Sequence, residues 1–228
     1  FVFVGDVGRP DLLERAAGVS GVMVPSAKDQ FRSIERAFKS LPEFLQVWPG
    51  HGAGSACGKS LGDIPMSTVG YELRFNPSIR ATDTEDHFVE FILAGQPEPP
   101  AYFARMKHTN RQGPAVLGAL PRPTEVALPD VGQFNGRMDL VVLDTRTRKE
   151  FFAGHLQGSV LVERDYQLSA IAGSYVDPSQ TVCLVAEAAD LDQVVRALVR
   201  VGIDRIERYI TPATLAAYAA SGGAMTKT

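Results

Sequence analysis

The chain has 228 residues, 45% of them hydrophobic and 21% charged, with a formal net charge of −3. That balance supplies apolar material for one or two buried cores and offers no basic stripe for nucleic acid or an anionic membrane surface. Apolar runs are too short to span a bilayer and no leader pattern opens the chain. Its two cysteines, Cys57 and Cys183, make no disulfide framework, so a cytoplasmic, reducing setting is expected.

Phe1 to Val4 reads as a short strand broken by Gly5-Asp6 and by Gly8-Arg9-Pro10-Asp11, a turn that leaves groups displayed at a sheet edge. Asp11 stands where it can cap a short helix from Leu12 to Ala17. Ser26-Ala-Lys-Asp29 has the look of a capping box opening the next helix, with Phe31, Ile34, Ala37, Phe38 and Leu41 at helical spacing and Pro42 as its stop. Phe44 to Trp48 is a second short strand, released by Pro49-Gly50 into a loop where His51 stands between glycines. The following Gly52–Lys59 stretch does not match a phosphate-binding P-loop: Gly54-x3-Gly58-Lys59-Ser60 is one residue short. Ser67 to Phe75 and Thr84 to Ala94 read as helices, the second closed by Gly95. His87 and His108 have no partner at ligand spacing and are assigned surface or core roles.

Two of these stretches carry a resemblance. Gly5-Asp6-Val7-Gly8-Arg9-Pro10-Asp11-Leu12 resembles the sequence after the metal-binding Asp in persulfide dioxygenases of the metallo-β-lactamase fold. Trp48-Pro49-Gly50-His51-Gly52-Ala53-Gly54-Ser55-Ala56-Cys57-Gly58-Lys59 resembles the final histidine loop of the same family. The resemblance implies a thiol-persulfide substrate, held through Arg9 with Lys59 and Cys57 as further contacts, and a site for Fe(II). His51 would sit beside that metal, or bind a second one if the ion is zinc, and Asp6 is an alternative ligand. A guanidinium suits Arg9's role because it grips a carboxylate with two parallel hydrogen bonds; the rival role is a salt bridge to Asp11 or Asp6. The remaining ligands of the family would lie upstream of Phe1, so the chain is expected to begin within a domain.

Gly113 to Pro123 is the best linker, dividing residues 1–112 from 124–228. Beyond it the pattern restarts. Leu140–Leu143, Thr181–Val185 and Arg205–Ile210 read as strands, with Gly158–Val162 between the first two. Asp165–Ala172, Asp190–Val201 and Pro212–Ala220 read as helices, which together make a parallel sheet covered on both faces. Leu143-Asp144-Thr145-Arg146 and Phe151-Phe-Ala-Gly-His155-Leu-Gln-Gly158-Ser resemble the rhodanese signature. That family delivers a cysteine in a Cys-x-x-Gly-x-Arg-Ser loop after the next strand. Here Val185-Ala-Glu-Ala-Ala-Asp-Leu-Asp192 stands there, with no Cys, Gly or Arg, and Cys183 comes too early, so no catalytic residue is expected in that loop.

The expected fold is α/β: the C-terminal part of a metallo-β-lactamase αββα domain, then a rhodanese-like domain. The implied function is oxidation of a glutathione-type persulfide to sulfite, the silent rhodanese-like domain serving as scaffold or homodimer contact. A zinc-dependent thioester hydrolase of the glyoxalase II type and a non-enzymatic sulfur-binding module are the alternatives.

Overall fold

A computed structural model describes residues 2–4, 9–16, 18–50, 66–96 and 98–227; Asp6, His51, Cys57 and Lys59 lie outside them. The chain divides into two units, Phe1–Lys107 and His108–Thr228. Among the described residues no helix is long and apolar enough to cross a membrane.

In the first unit, Val2–Val4 (β1) leads through a turn to helix Leu12–Arg15 (α1) and then to helix Met23–Arg36 (α2). Helix α2 begins one turn before the expected capping box, so Ser26 and Asp29 lie inside it rather than at its start. Pro25 tolerates the first turn because no intrahelical bond needs its missing N–H. The cap comes instead from the preceding helix: the Glu14 carboxylate accepts the Met23 amide at 2.9 Å. Nor does Pro42 end the helix directly, because Phe38–Ser40 adds a 3₁₀ turn after Ala37.

Gln46–Pro49 (β2) pairs parallel with β1, with Val4 opposite Pro49, and antiparallel with Ser67–Thr68 (β3). Thr68 caps helix Val69–Phe75 (α3), Asn76 caps helix Pro77–Arg80 (α4), and Thr84 caps helix Glu85–Leu93 (α5). The core of this unit lies between α2 and α5, where Ala27, Ile34, Ile79, Phe88 and Ile92 are buried, and the rings of Phe31 and Phe88 lie 5.9 Å apart. Helix Tyr102–Gln112 (α6) carries the chain into the second unit.

There, Thr124–Glu125 (β4), Leu140–Asp144 (β5), Val160–Leu161 (β6), Thr181–Val185 (β7) and Ile206–Ile210 (β8) form an all-parallel sheet in the order β4-β8-β7-β5-β6. Helices Arg148–Ala153 (α7), Leu168–Tyr175 (α8) and Leu191–Val199 (α9) connect β5 to β6, β6 to β7 and β7 to β8, and Pro212–Ala220 (α10) follows the last strand. A continuous apolar strand is what a sheet covered on both faces demands. On one face Leu140, Val142, Cys183, Val185 and Ile210 join Val131, Phe134 and Leu215 in a single cluster. Val141, Leu143, Val182 and Leu184 are equally buried and alternate to the other side, and α8 and α9, which pack on each other, bury Leu168, Ala172, Val194 and Leu198.

The tail after α10 folds back: His155 and Thr226 exchange backbone hydrogen bonds of 2.9 and 2.8 Å. Gly223 permits this return, since a Cβ there would lie 2.4–2.5 Å from the Tyr218 ring, which itself packs on the core. Gly223→Ala is therefore expected to cost about 1–3 kcal/mol, the usual toll of overpacking. Thermal denaturation checks it, and an unchanged Tm would mean that the tail is not held against Tyr218.

Candidate functional site

The first candidate is the edge where β1 and β2 end. Because Val4 and Pro49 are register partners in a parallel pair, both strands deliver the chain to the same side of the sheet. Asp6 and His51 each follow such a partner by two positions in the sequence. In sheets of this kind, sites collect at the carboxyl ends of strands.

Arg9, just beyond β1, is 6% exposed and Asp11 is 1% exposed. The guanidinium meets the carboxylate as a fork: Nε donates to Oδ1 at 2.9 Å and Nη2 to Oδ2 at 3.0 Å. Arg15 adds a donation from Nη1 to Asp11 Oδ2 at 3.3 Å, another to the Gln96 carbonyl at 3.3 Å, and one from Nη2 to Glu98 Oε1 at 2.5 Å. Burial pushes the Asp11 carboxyl up, but the hydrogen bond and charge of Arg9, with help from Arg15, outweigh it and hold the group below its ordinary 3.8. Of the two roles the sequence left open to Arg9, the salt bridge to Asp11 is present. Arg15 was not singled out from sequence, although its place four residues after Asp11 is the spacing at which helical side chains meet. Glu98 had no such signal.

The second candidate is the loop that would carry a sulfur-transfer cysteine. Strand β7 runs into Ala186-Glu187, a 3₁₀ turn at Ala188–Asp190, and α9. Asp190 is paired with Arg164, and Asp192 with Arg196 at 2.8 Å. Cys183 sits inside β7, fully buried between Val142 on β5 and Arg208 on β8. Burial pushes its thiol up to about 12, with only a partial opposing pull from the Arg208 charge.

The signature residues around this loop are scaffold. Asp144, wholly buried, takes the Arg146 amide at 3.1 Å, Nε at 2.9 and 3.1 Å and Nη2 at 2.6 Å, and the same Nη2 reaches the Gly154 carbonyl at 2.9 Å. His155 faces the Phe151 carbonyl through Nδ1 at 2.9 Å and stacks on the Phe151 ring at 3.9 Å. Nδ1 must carry the proton there, since a carbonyl can only accept. Gly158 turns the chain at φ 78°, where a side chain would be strained. A cavity of about 420 Å³, lined by Glu125, Asp130, Arg137, Asp139 and Arg208 among others, lies by the amino ends of β5 and β7, away from this loop.

The chain is 34% identical to a metallo-β-lactamase from Staphylococcus aureus subsp. aureus COL. The two structures superpose with a TM-score of 0.75, covering 92% of this chain and 59% of that one. Over 90 residues, 40% of this chain and 34% of the other, it is 27% identical to a Bacillus velezensis protein described as a probable polyketide biosynthesis zinc-dependent hydrolase, BaeB. A rhodanese-like domain of the Alr3790 protein from Anabaena sp. is 21% identical with a TM-score of 0.38, covering 47% of this chain and 81% of that domain. No family model matches the chain. It thus spans well under the full length of either of the first two relatives.

Proposed function

We propose that this chain, which carries the metallo-β-lactamase fold followed by a rhodanese-like parallel-sheet unit, is part of a persulfide dioxygenase. In this reading the intact protein oxidises a low-molecular-weight thiol persulfide of the glutathione type to sulfite with molecular oxygen. The observation that carries it is the register of β1 on β2. With Val4 opposite Pro49, the two strands that precede Asp6 and His51 in the sequence end on the same side of the sheet. The joined rhodanese-like unit supports a substrate containing sulfur, and it acts as scaffold or dimer contact rather than as a second catalyst.

Among the described residues no group of three or more His, Cys, Asp or Glu is placed to hold a metal ion. The Fe(II) of this reading would therefore have to draw on donors outside the described residues, with Asp6 as the alternative ligand within this chain and His51 beside the metal, and no step is derived through it. Lys59 supplies the cation for a carboxylate of a thiol carrier in this reading, whereas Arg9 has its fork on Asp11 and a side chain only 1% exposed.

The likeness to the Bacillus zinc-dependent hydrolase favours a second reading, cleavage of a thioester with zinc. Oxygen uptake by the intact, iron-loaded protein given glutathione persulfide separates the two. The expected result is uptake with matching sulfite. Bound zinc with thioester cleavage and no uptake would replace the dioxygenase by the hydrolase. Metal-independent binding of the persulfide without turnover would leave a sulfur-binding module.

A further inference from the structure

We propose that the cavity at the amino ends of β5 and β7 is a binding site for a small amino acid with a basic side chain, the class of lysine and arginine. The site lies within the second unit and is independent of the persulfide reading. Its volume is about 420 Å³, within the range of small-molecule sites. Buried Val126, Phe134 and Leu140 give it an apolar floor, and most of the remaining lining is charged or polar.

An irregularity in one strand brings charge to this cavity. Between the pairs Val182–Ile206 and Cys183–Arg208, β8 carries one residue more than β7, and that residue is Glu207. On a regular strand Glu207 and Arg208 would face opposite sides of the sheet. The bulge lets both line the cavity, although it interrupts the ladder.

The charges gathered there are only partly matched. Arg137 is held by both carboxylate oxygens of Asp139. Arg208 donates to the Thr124 hydroxyl at 3.0 Å and has no carboxylate partner among the described residues. Glu125 accepts from the Tyr209 hydroxyl at 3.2 Å and Asp130 from the Gln133 amide at 2.9 Å, and neither meets a cation among the described residues. Glu207 makes no ion pair with Arg208 beside it. Elsewhere on the exposed surface of this unit opposite charges do pair, as in Arg196 with Asp192 and Arg148 with Glu163. Glu125, Asp130, Glu207 and Arg208 thus surround one cavity without counter-charge.

That pattern selects among ligands. A simple anion meets an excess of like charge, and among the described residues no acidic group is placed to hold a metal ion. A plain diamine leaves Arg208 facing its own sign. A basic amino acid answers both signs at once. Its carboxylate suits the planar fork of Arg208, its two cationic ends suit the carboxylates, and its aliphatic stem suits the apolar floor.

The test is isothermal titration calorimetry of the whole chain at low ionic strength, where screening is least. The probes are L-lysine, L-arginine, cadaverine, which lacks the carboxylate, and L-norleucine, which lacks the side-chain cation. The wild-type chain is expected to bind L-lysine and L-arginine about tenfold more tightly than either of the other two, the worth of one charged hydrogen-bonded contact. Arg208→Gln should bring L-lysine down to the level of cadaverine. Glu207→Gln should weaken L-lysine by about fivefold and keep its advantage over cadaverine. Circular dichroism checks that each variant is folded, and the comparison of the four probes on the wild-type chain needs no variant. No binding of L-lysine or L-arginine at about 10 mM would overturn the inference. So would equal binding of L-lysine and cadaverine, or L-lysine binding that neither substitution changes.

Discussion

Replacing Asp144 by alanine is expected to destabilise the second unit by about 3–5 kcal/mol, the range seen when one member of a buried ion pair is removed. The carboxylate has no solvent exposure and receives the Arg146 amide and two guanidinium nitrogens. Without it, a guanidinium that is only 12% exposed keeps the Gly154 carbonyl and loses its counter-charge. The damage spreads because Asp144 is also the last residue of β5, and its carbonyl accepts the Val162 amide at 2.8 Å beside β6. The cost comes mainly from the orphaned cation, so Asp144→Ala combined with Arg146→Met should be less destabilising than Asp144→Ala alone. Denaturant unfolding of the chain, followed in both single variants and the double, checks this. A double variant at least as unstable as the sum of the singles would mean that the pair contributes packing, not charge compensation.

How far such features can be read in advance depends on how local their causes are. Strands β5 and β7 and helix α10 are legible because each is declared within its own residues: a run of apolar β-formers, or Thr211 and Pro212 at a helix start. The two-residue strands β3, β4 and β6 are not, since pairing with a neighbour defines them rather than any pattern of their own. Ser26 to Asp29 fits a capping box, yet the helix begins earlier because Glu14, nine residues before Met23, caps it from outside. The same distinction runs through the candidate site. Arg9 and Asp11 are two residues apart and their pairing was among the roles considered from sequence. Glu98 reaches Arg15 across 83 residues, which no spacing argument can find. The parallel register that brings the ends of β1 and β2 to one edge is likewise a property of pairing, and only the glycine-rich breaks after each strand hinted at it.

No sulfur transfer from thiosulfate to cyanide is expected from the second unit, and Cys183 should resist thiol reagents until the chain unfolds. A rhodanese-type nucleophile needs a thiolate at a helix start, with amides aimed at it. Cys183 instead lies within β7, fully buried among Val142, Val185, Ile210 and Leu215. With its thiol pushed up to about 12 from 9.0, the thiolate present at neutral pH is about a thousandfold scarcer than for an ordinary cysteine. The loop that follows does nothing to offset this, since Asp190 and Asp192 take up the charges of Arg164 and Arg196 and Glu187 adds a negative one. Labelling of a Cys57→Ser variant, which leaves Cys183 as the sole thiol, should therefore be complete in denaturant and negligible without it. The raised value also sets a pH dependence. The unfolded thiol ionises first, so its contribution to stability is intact below about pH 9 and is lost progressively as the pH climbs from there toward 12. Rapid native labelling, or a sulfurtransferase activity that Cys183→Ala abolishes, would mean that β7 opens to present the thiol, and the silent reading of this unit would fall.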